Sequence, residues 1–443
     1  MSELERIQVS VNKRFLVTES GKPFFWLGDT AWELFHRLNR EETDKYLENR
    51  RERGFNVIQA VVLAEFDGLR TPNANGHIPL VGDDPTRPNE PYFQHIDYVI
   101  HSAASKGLYI GLLPTWGDKV NPIWGIGPVI FNTENTRAYG KYLGTRYRKD
   151  SNIIWILGGD RNAEGYENLW ASMSYGIENG LGRKPLMTYH PNGGCSSAMW
   201  FHDTDWLDFN MWQSGHVQLD APNWEMITTD YTRLPVKPVI DGEPNYEDHP
   251  IDPFTRRWLP EFGRFTDYDV RKQAYRAVFA GAAGHTYGHH SVWQFWTLDR
   301  IPINHPMPAW EEAILRPGAA QLIHMKNLVL SRPYLNRIPG QGLLASDPGE
   351  GASHVCATRG SDGSYAFVYI PKADQPIEID LRKMAGSVKA WWYDPRDGRA
   401  LPAGEFSNKA VHKFTSPIAG PDWVLVLDVA SESYPAPGKV STL

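Results

Sequence analysis

The sequence predicts an α/β protein: a (β/α)8 barrel with a short N-terminal β lead over residues 1–334, followed by a small antiparallel β-sandwich over 335–443. Three observations predict it. Eight short apolar runs, most of them followed by a helix-length stretch, occupy the first part of the chain. These runs are nearly continuous rather than alternating, as in strands buried on both faces of a parallel sheet. From about residue 335 helical periodicity disappears, and short strand-like segments alternate with turn signals.

In chain order, FFWLGDT (24–30) is the first run. Asn39 with Glu42 then has the spacing of a capping box for a helix over 40–53, which Gly54 ends. NVIQAVVL (56–63), a helix near 92–106 ending at Gly107, and YIGLLPTW (109–116) continue the alternation. Tyr139, Tyr142, Leu143 and Tyr147 lie at helical spacing within 133–148, ahead of NIIWILGGD (152–160). A helix over 164–180 precedes PLMTYH (185–190), and FNMWQ (209–213) and PVIDGEP (238–244) are the sixth and seventh strands. Val270, Ala274, Ala277, Val278 and Gly281 form an apolar helical stripe leading into HTYGHHSVWQFW (285–296), the eighth. Beyond it SHVCAT, SYAFVYI, IEIDL, VKAWWY, VHKFT and WVLVLDV are short strands separated by SDG, DPRDG and AGPD turns.

Composition narrows the function. With 443 residues, 41% of them apolar, and a formal net charge of −7 without basic runs, the chain has ample material for packed cores and no electrostatic footprint for nucleic acid or an anionic membrane. No window approaches the roughly 18 uninterrupted apolar residues of a spanning helix. The opening MSELERIQVS lacks a basic region followed by an apolar stretch, which predicts a cytoplasmic protein, or a periplasmic or secreted one if a leader has been removed. Two cysteines, Cys195 and Cys356, are too few for a disulfide framework or a thiolate metal site. The 17 Trp and 20 Tyr suit a sugar-binding cleft as well as a large core.

In a barrel of this kind the active site lies at the C-terminal ends of the strands. The polar and aromatic residues that fall there are Asp29 and Trp32 (first strand), Glu65 (second), Trp116 (third), Asp160, Arg161 and Asn162 (fourth), Tyr189 and His190 (fifth), Trp212 and Gln213 (sixth), Glu243 and Tyr246 (seventh), and His289 and Trp293 (eighth). Two carboxylates across one mouth are what a glycosidase needs, one protonated to serve the leaving oxygen and one ionised as nucleophile or base. Asp160 and Glu243 are that pair. Taken alone, an Asp after Gly-Gly is as ordinary a turn or cap residue as it is a catalyst. Glu243, however, is followed within one turn by Tyr246, Glu247 and Asp248, neighbours that separate the pKa values of two acids. The remaining residues are expected to bind hydroxyls or stack on sugar faces, with core packing an equally ordinary use for any one of them. Arg161 and Asn162 would orient the acid or cap the next helix.

Other chemistries find less support. His285 and His289 have an i, i+4 spacing that could ligate zinc on a helix, but the segment reads as strand and loop without HExxH. No metal and no cofactor are expected. There is no GxSxG elbow, no phosphate-binding GxGxxG or GxxxxGK[ST] loop, and no visible partner for Cys195. Two rival readings stay open: a catalytically silent carbohydrate-binding protein built on a glycosidase barrel, and an interaction protein in which the sandwich does the work.

At WLGDTAWELFHRL (26–38), NVIQAVVLAEFDG (56–68), IIWILGGDRN (153–162), PVIDGEPNYE (238–247) and WWYDPRDGR (391–399), the chain resembles the apiosidase-type glycoside hydrolases, family 140, along nearly its whole length. The resemblance implies a (β/α)8 barrel followed by a domain named for collagen binding. It also implies an acid/base at the Asp of GGDRN and a nucleophile at the Glu of GEPNYE, here Asp160 and Glu243. The implied activity is hydrolysis of O-glycosidic bonds in plant-derived, pectic, apiose-containing saccharides, by removal of side chains at an apiose linkage in rhamnogalacturonan II. A cytoplasmic member would cleave imported oligosaccharides or apiosyl glycosides.

Overall fold

The computed structural model describes residues 4–255 and 257–440. A small antiparallel sheet comes first, made of β1 (Ile7–Val9), β2 (Leu16–Thr18) and β3 (Pro23–Phe24). Eight parallel strands follow: β4 (Trp26–Thr30), β5 (Val57–Val61), β6 (Tyr109–Leu113), β7 (Ile153–Gly158), β8 (Met187–His190), β10 (Asn210–Gln213), β11 (Val239–Asp241) and β12 (Gly284–Tyr287). The last strand pairs back onto the first, Gly284 opposite Trp26 and Tyr287 opposite Asp29, so the sheet curls into a barrel. Its seam lies between β8 and β10, where Asp208 N donates to Met187 O at 2.9 Å and Thr188 Oγ1 to Phe209 O at 2.6 Å. The short β9 (Cys195–Ser196) lies antiparallel to β10 at that seam.

Strand residues divide between two cores. On β5, Ile58 and Ala60 join Leu47, Ile96 and Val99 of the surrounding helices, while Val57 and Val61 meet Ile154 and Ile156 of β7. Both faces are apolar, which is why these strands read as unbroken runs. Eleven helices accompany them among the described residues: α1 (Leu34–Arg37), α2 (Arg40–Glu52), α3 (Glu90–Ser105), α4 (Thr133–Arg146), α5 (Glu167–Leu181), α6 (Ala198–Phe201), α7 (Asn223–Tyr231), α8 (Asp267–Phe279), α9 (His290–Trp293), α10 (Trp310–Ala313) and α11 (Pro317–Leu330). The expected box opens α2: Asn39 Oδ1 accepts from Glu42 N at 3.0 Å and Glu42 Oε2 from Asn39 N at 2.8 Å. Helices α4 and α5 approach through glycines. A Cβ on Gly144 would stand 2.2 Å from Ile177 O, and one on Gly180 2.3 Å from Lys141 O.

Two expected strands have different limits. FFWLGDT is divided, Phe24 ending the lead sheet and Trp26 beginning the barrel. HTYGHHSVWQFW is a strand only to Tyr287. Beyond it the side chain of His289 accepts from Ser291 N at 3.0 Å, which caps α9 and turns the chain.

The second domain is a sandwich of unequal sheets. Six strands run in the order β13 (Arg337–Pro339), β14 (Cys356–Gly360), β15 (Tyr365–Ile370), β20 (Trp423–Val429), β17 (Val388–Tyr393) and β18 (Ala400–Phe406). The remaining β16 (Pro376–Asp380) and β19 (Val411–Thr415) pair with each other as a two-stranded sheet. Ala366, Val368, Ile370, Leu425 and Leu427 form the inner core with Ile377, Ile379 and Phe414. The opposite face of the large sheet belongs to the barrel's core: Tyr365, Phe367, Tyr369, Val424 and Val426 cluster with Tyr275 and Phe279 of α8. Tyr275 stacks on Tyr369 at 5.0 Å and 12°, and Trp224 on His354 at 4.0 Å. Arg271 grips Asp422 with Nε and Nη2 at 2.9 and 2.7 Å, and Tyr369 donates to the same carboxylate at 2.9 Å. Arg332 holds Asp428 in the same two-pronged way, both contacts 2.7 Å.

Candidate active site

The fourth barrel strand delivers Asp160 by a backbone manoeuvre that only its sequence allows. Gly158 and Gly159 have φ of 89° and 118°, and a Cβ on Gly158 would stand 2.3 Å from His190 O. Gly159 donates to His190 O at 3.1 Å and accepts from Gly117 N at 3.1 Å, so the turn is pinned to both neighbouring strand ends. Asp160 itself is left-handed, φ 53°, a conformation that aspartate tolerates better than most residues, and it is partly exposed.

Glu243 stands across the mouth, just past β11, and is buried. His190 Nε2 lies 2.8 Å from its Oε2 and His216 Nε2 lies 3.0 Å from its Oε1. The proton positions follow from the other ring atoms. His190 Nδ1 accepts the backbone N–H of Asp160 at 3.2 Å, so its ring proton sits on Nε2, the atom that faces Glu243. One imidazole thus joins both carboxyl-bearing turns.

The two acids are driven apart electrostatically. Burial works to raise Glu243, but the contacts of His190 and His216 outweigh it and hold the carboxyl at about 2. Burial raises Asp160 above the ordinary aspartate range, the charge of Glu243 adds to the rise, and His190 and Arg161 oppose it. One acid is therefore kept ionised while the other is favoured as a proton carrier.

Aromatic rings gather around this pair. Trp32 meets His190 edge-on at 5.1 Å and Trp116 at 5.3 Å, and Tyr246 lies 4.2 Å from the ring of His216. Burial and the charge of Glu243 raise the Tyr246 phenol well above its ordinary range, so it is a standing O–H donor. Gln213 lies beside Asp160 as a hydrogen-bonding neighbour of its carboxyl. Glu65, partly exposed, is raised by burial and by the charges of Glu33, Asp160 and Asp118, which ties it to the same field. Trp293 pairs with Phe66 at 5.5 Å. Buried indole N–H groups of Trp116 and Trp212, with the amide oxygens of Asn162 and Gln213, have no hydrogen-bond partner among the described residues.

Three expected contact residues are occupied elsewhere. Asp29 is fully buried on the helix-facing side of β4, where Arg50 Nε approaches it at 2.7 Å and Tyr46 donates to it, so it joins strand to α2 rather than meeting a sugar. The ring of Tyr189 packs against Trp170 and Phe201, and its hydroxyl donates to Arg161 O at 2.8 Å, supporting the turn after Asp160 from behind. His289 accepts from Ser291 N, so its Nε2 carries the proton to Asp248 at 3.1 Å, where Arg316 also binds. Glu247 is likewise committed, to Tyr287 at 2.5 Å and Gly318 N at 3.2 Å, and burial pushes it up to about 7. His285 lies in β12, buried and lowered to about 3 by that burial. Among the described residues no group of three or more His, Cys, Asp or Glu is placed to hold a metal ion, and no helix is long and apolar enough to cross a membrane.

Two residues at the site lie outside the strand-end set. His216 follows Gln213 by three positions, where Gly215 N hooks onto Glu243 O at 3.0 Å. Trp124, in the loop between β6 and α4, donates from Nε1 to Asp160 Oδ2 at 3.1 Å. The first had a legible signal, a histidine just past a strand end. The second had none, standing among Ile, Gly and Pro in a surface loop.

Comparison with known proteins agrees with this architecture. A family model described as "Apiosidase-like, catalytic domain" matches residues 10–336, and one described as "Putative collagen-binding domain of a collagenase" matches 338–428. A solved structure described as a glycoside hydrolase is 37% identical, with 97% of this chain and 98% of that chain covered and a TM-score of 0.88. A glycoside hydrolase family 5 protein from Bacteroides vulgatus is 35% identical, with 98% and 96% covered and a TM-score of 0.90. A second B. vulgatus structure, 15% identical at a TM-score of 0.71 over 96% of this chain and 82% of that one, shares the fold. No curated protein matches. Fold and relatives together define a barrel glycoside hydrolase. The chain belongs to the apiosidase-like family.

Proposed function

We propose that this glycosidase hydrolyses an O-glycosidic bond in plant-derived, pectic, apiose-containing oligosaccharides or glycosides, with Asp160 as acid/base and Glu243 as nucleophile. The observation that carries the chemistry is the opposed environment of the two carboxyls, one held at about 2 by two imidazoles and the other raised by burial beside it. Asp160 would give its proton to the glycosidic oxygen as the bond to the anomeric carbon breaks and a Glu243 oxygen bonds to that carbon. The Asp160 carboxylate would then take a proton from water as that water displaces Glu243, restoring both groups. Trp32, Trp116, Trp212, Gln213, Asn162, Tyr246 and Trp293 supply rings and hydrogen-bonding groups for the sugar. The apiose assignment rests on the family match.

The test is hydrolysis of aryl apiosides and apiose-containing pectic oligosaccharides by wild type, Asp160→Asn and Glu243→Gln, with the anomeric product followed by NMR. Each variant should lose at least about 10³-fold in kcat/KM toward unactivated substrates at unchanged melting temperature, and the first-formed anomer should keep the substrate's configuration. Wild-type turnover by either variant, or inversion, would overturn that residue's role. Sugars that raise the melting temperature without ever being cleaved would favour the binding-protein reading.

A further inference from the structure

Asp160 is approached by a neutral donor that the reaction scheme has not used. Trp124 sits in the loop joining β6 to α4, 40% exposed, with its indole N–H on Asp160 Oδ2 at 3.1 Å. The placement is built rather than incidental. Arg161, 1% exposed, lies under the indole ring with Cζ 4.0 Å from its centroid. The same guanidinium donates to Asn121 O at 3.0 Å, to Trp124 O, and to Asp160 O at 2.7 Å, so one side chain fixes the loop and the acid-bearing turn together. Farther along, Gly127 N donates to Asp118 Oδ2 at 2.9 Å, and Asp118 is paired with Lys119 at 2.8 Å.

We propose that Trp124 is the positioning residue of the acid: its N–H occupies Oδ2 of Asp160 and so assigns the transferable proton to Oδ1. The inference rests on the carboxylate roles proposed above. An indole N–H can donate and never accept, so the oxygen it holds is an acceptor in both ionisation states. The acid proton therefore stands on Oδ1, to be passed to the leaving oxygen, and the same N–H remains to stabilise the carboxylate that results. The other groups facing this carboxyl are Glu243 just past β11, His190 from β8, Gln213 from β10, Arg161 and Glu65. None of them is altered by changing Trp124 to Phe, which keeps a ring on Arg161 and removes only the donor.

The experiment compares wild type with Trp124→Phe on 2,4-dinitrophenyl, 4-nitrophenyl and phenyl apiosides, together with a ¹³C NMR titration of the Asp160 carboxyl, assigned by its loss in Asp160→Asn. The phenyl apioside should lose about 10- to 100-fold in kcat/KM, whereas the dinitrophenyl apioside, which departs without a proton, should stay within about twofold. The Asp160 titration should move up by about half a unit or more, because the lost donor favoured the charged form. Equal losses across the three leaving groups, or an unmoved titration, would overturn the proposal. A wild type inert toward the whole series sinks the apioside assignment instead, and the titration then decides the role of Trp124 alone.

Discussion

Glu243 would be a poor place for a charge without its imidazoles, because burial alone drives a carboxyl upward, and His190 and His216 reverse that. The sign of a mutation follows. His216→Phe removes one donor and leaves the burial, so the Glu243 pKa rises from about 2. With Glu243 as the proposed nucleophile, turnover needs it ionised, and the acid limb of kcat/KM should therefore move to higher pH by about one unit or more, readable in a pH–rate profile. A limb that does not move would remove His216 from the site. The strand-end placement of Asp160 and Glu243 was legible in the sequence because each is a carboxyl just after an apolar run. Asp29, Tyr189 and His289 have the same placement and different fates. Side chains alternate across a strand, so a strand-end position without the phase does not say whether a residue faces the barrel interior or the helices. Trp124 was hidden for another reason: its partner is 36 residues away, and nothing local in an exposed loop marks it.

At the level of elements, helices α4 and α5 owe their close approach to hydrogen atoms. Gly144→Ala would push a methyl against the backbone carbonyl of Ile177, and backbone cannot swing aside as a flexible side chain does. The variant should lose about 1–3 kcal/mol, read as a lower urea midpoint at unchanged slope. A neutral result would mean that the helix pair slides freely. The eight barrel strands were legible because burial on both faces leaves an unbroken apolar run that no exposed element would carry. The end of the eighth was not, since a histidine cap after Tyr287 turned the chain where composition alone promised more strand. The sandwich's division into six strands and two was equally hidden. Alternation in IEIDL and VHKFT reports that one face is covered, and it is silent about which strand lies alongside.

Over the whole molecule, barrel and sandwich share one apolar core, and the charges at their boundary are buried with it. Removing Arg271 leaves Asp422 buried with the Tyr369 hydroxyl but without its paired guanidinium, which costs about 3–5 kcal/mol. Arg271→Met should accordingly lower the melting temperature far more than the double change with Asp422→Leu. Both domains should unfold in one transition, with tryptophan fluorescence and far-UV circular dichroism coinciding. Two separated transitions would show that the boundary is an ordinary loose contact. Such a boundary also bears on inheritance. A recombination that exchanged the chain after residue 336 would hand the barrel a new neighbour while Tyr275, Phe279 and Arg271 still carried the imprint of the old one. Only a donor with a matching aromatic and acidic face would give a protein that folds, so the two halves of this gene are bound to drift as a unit.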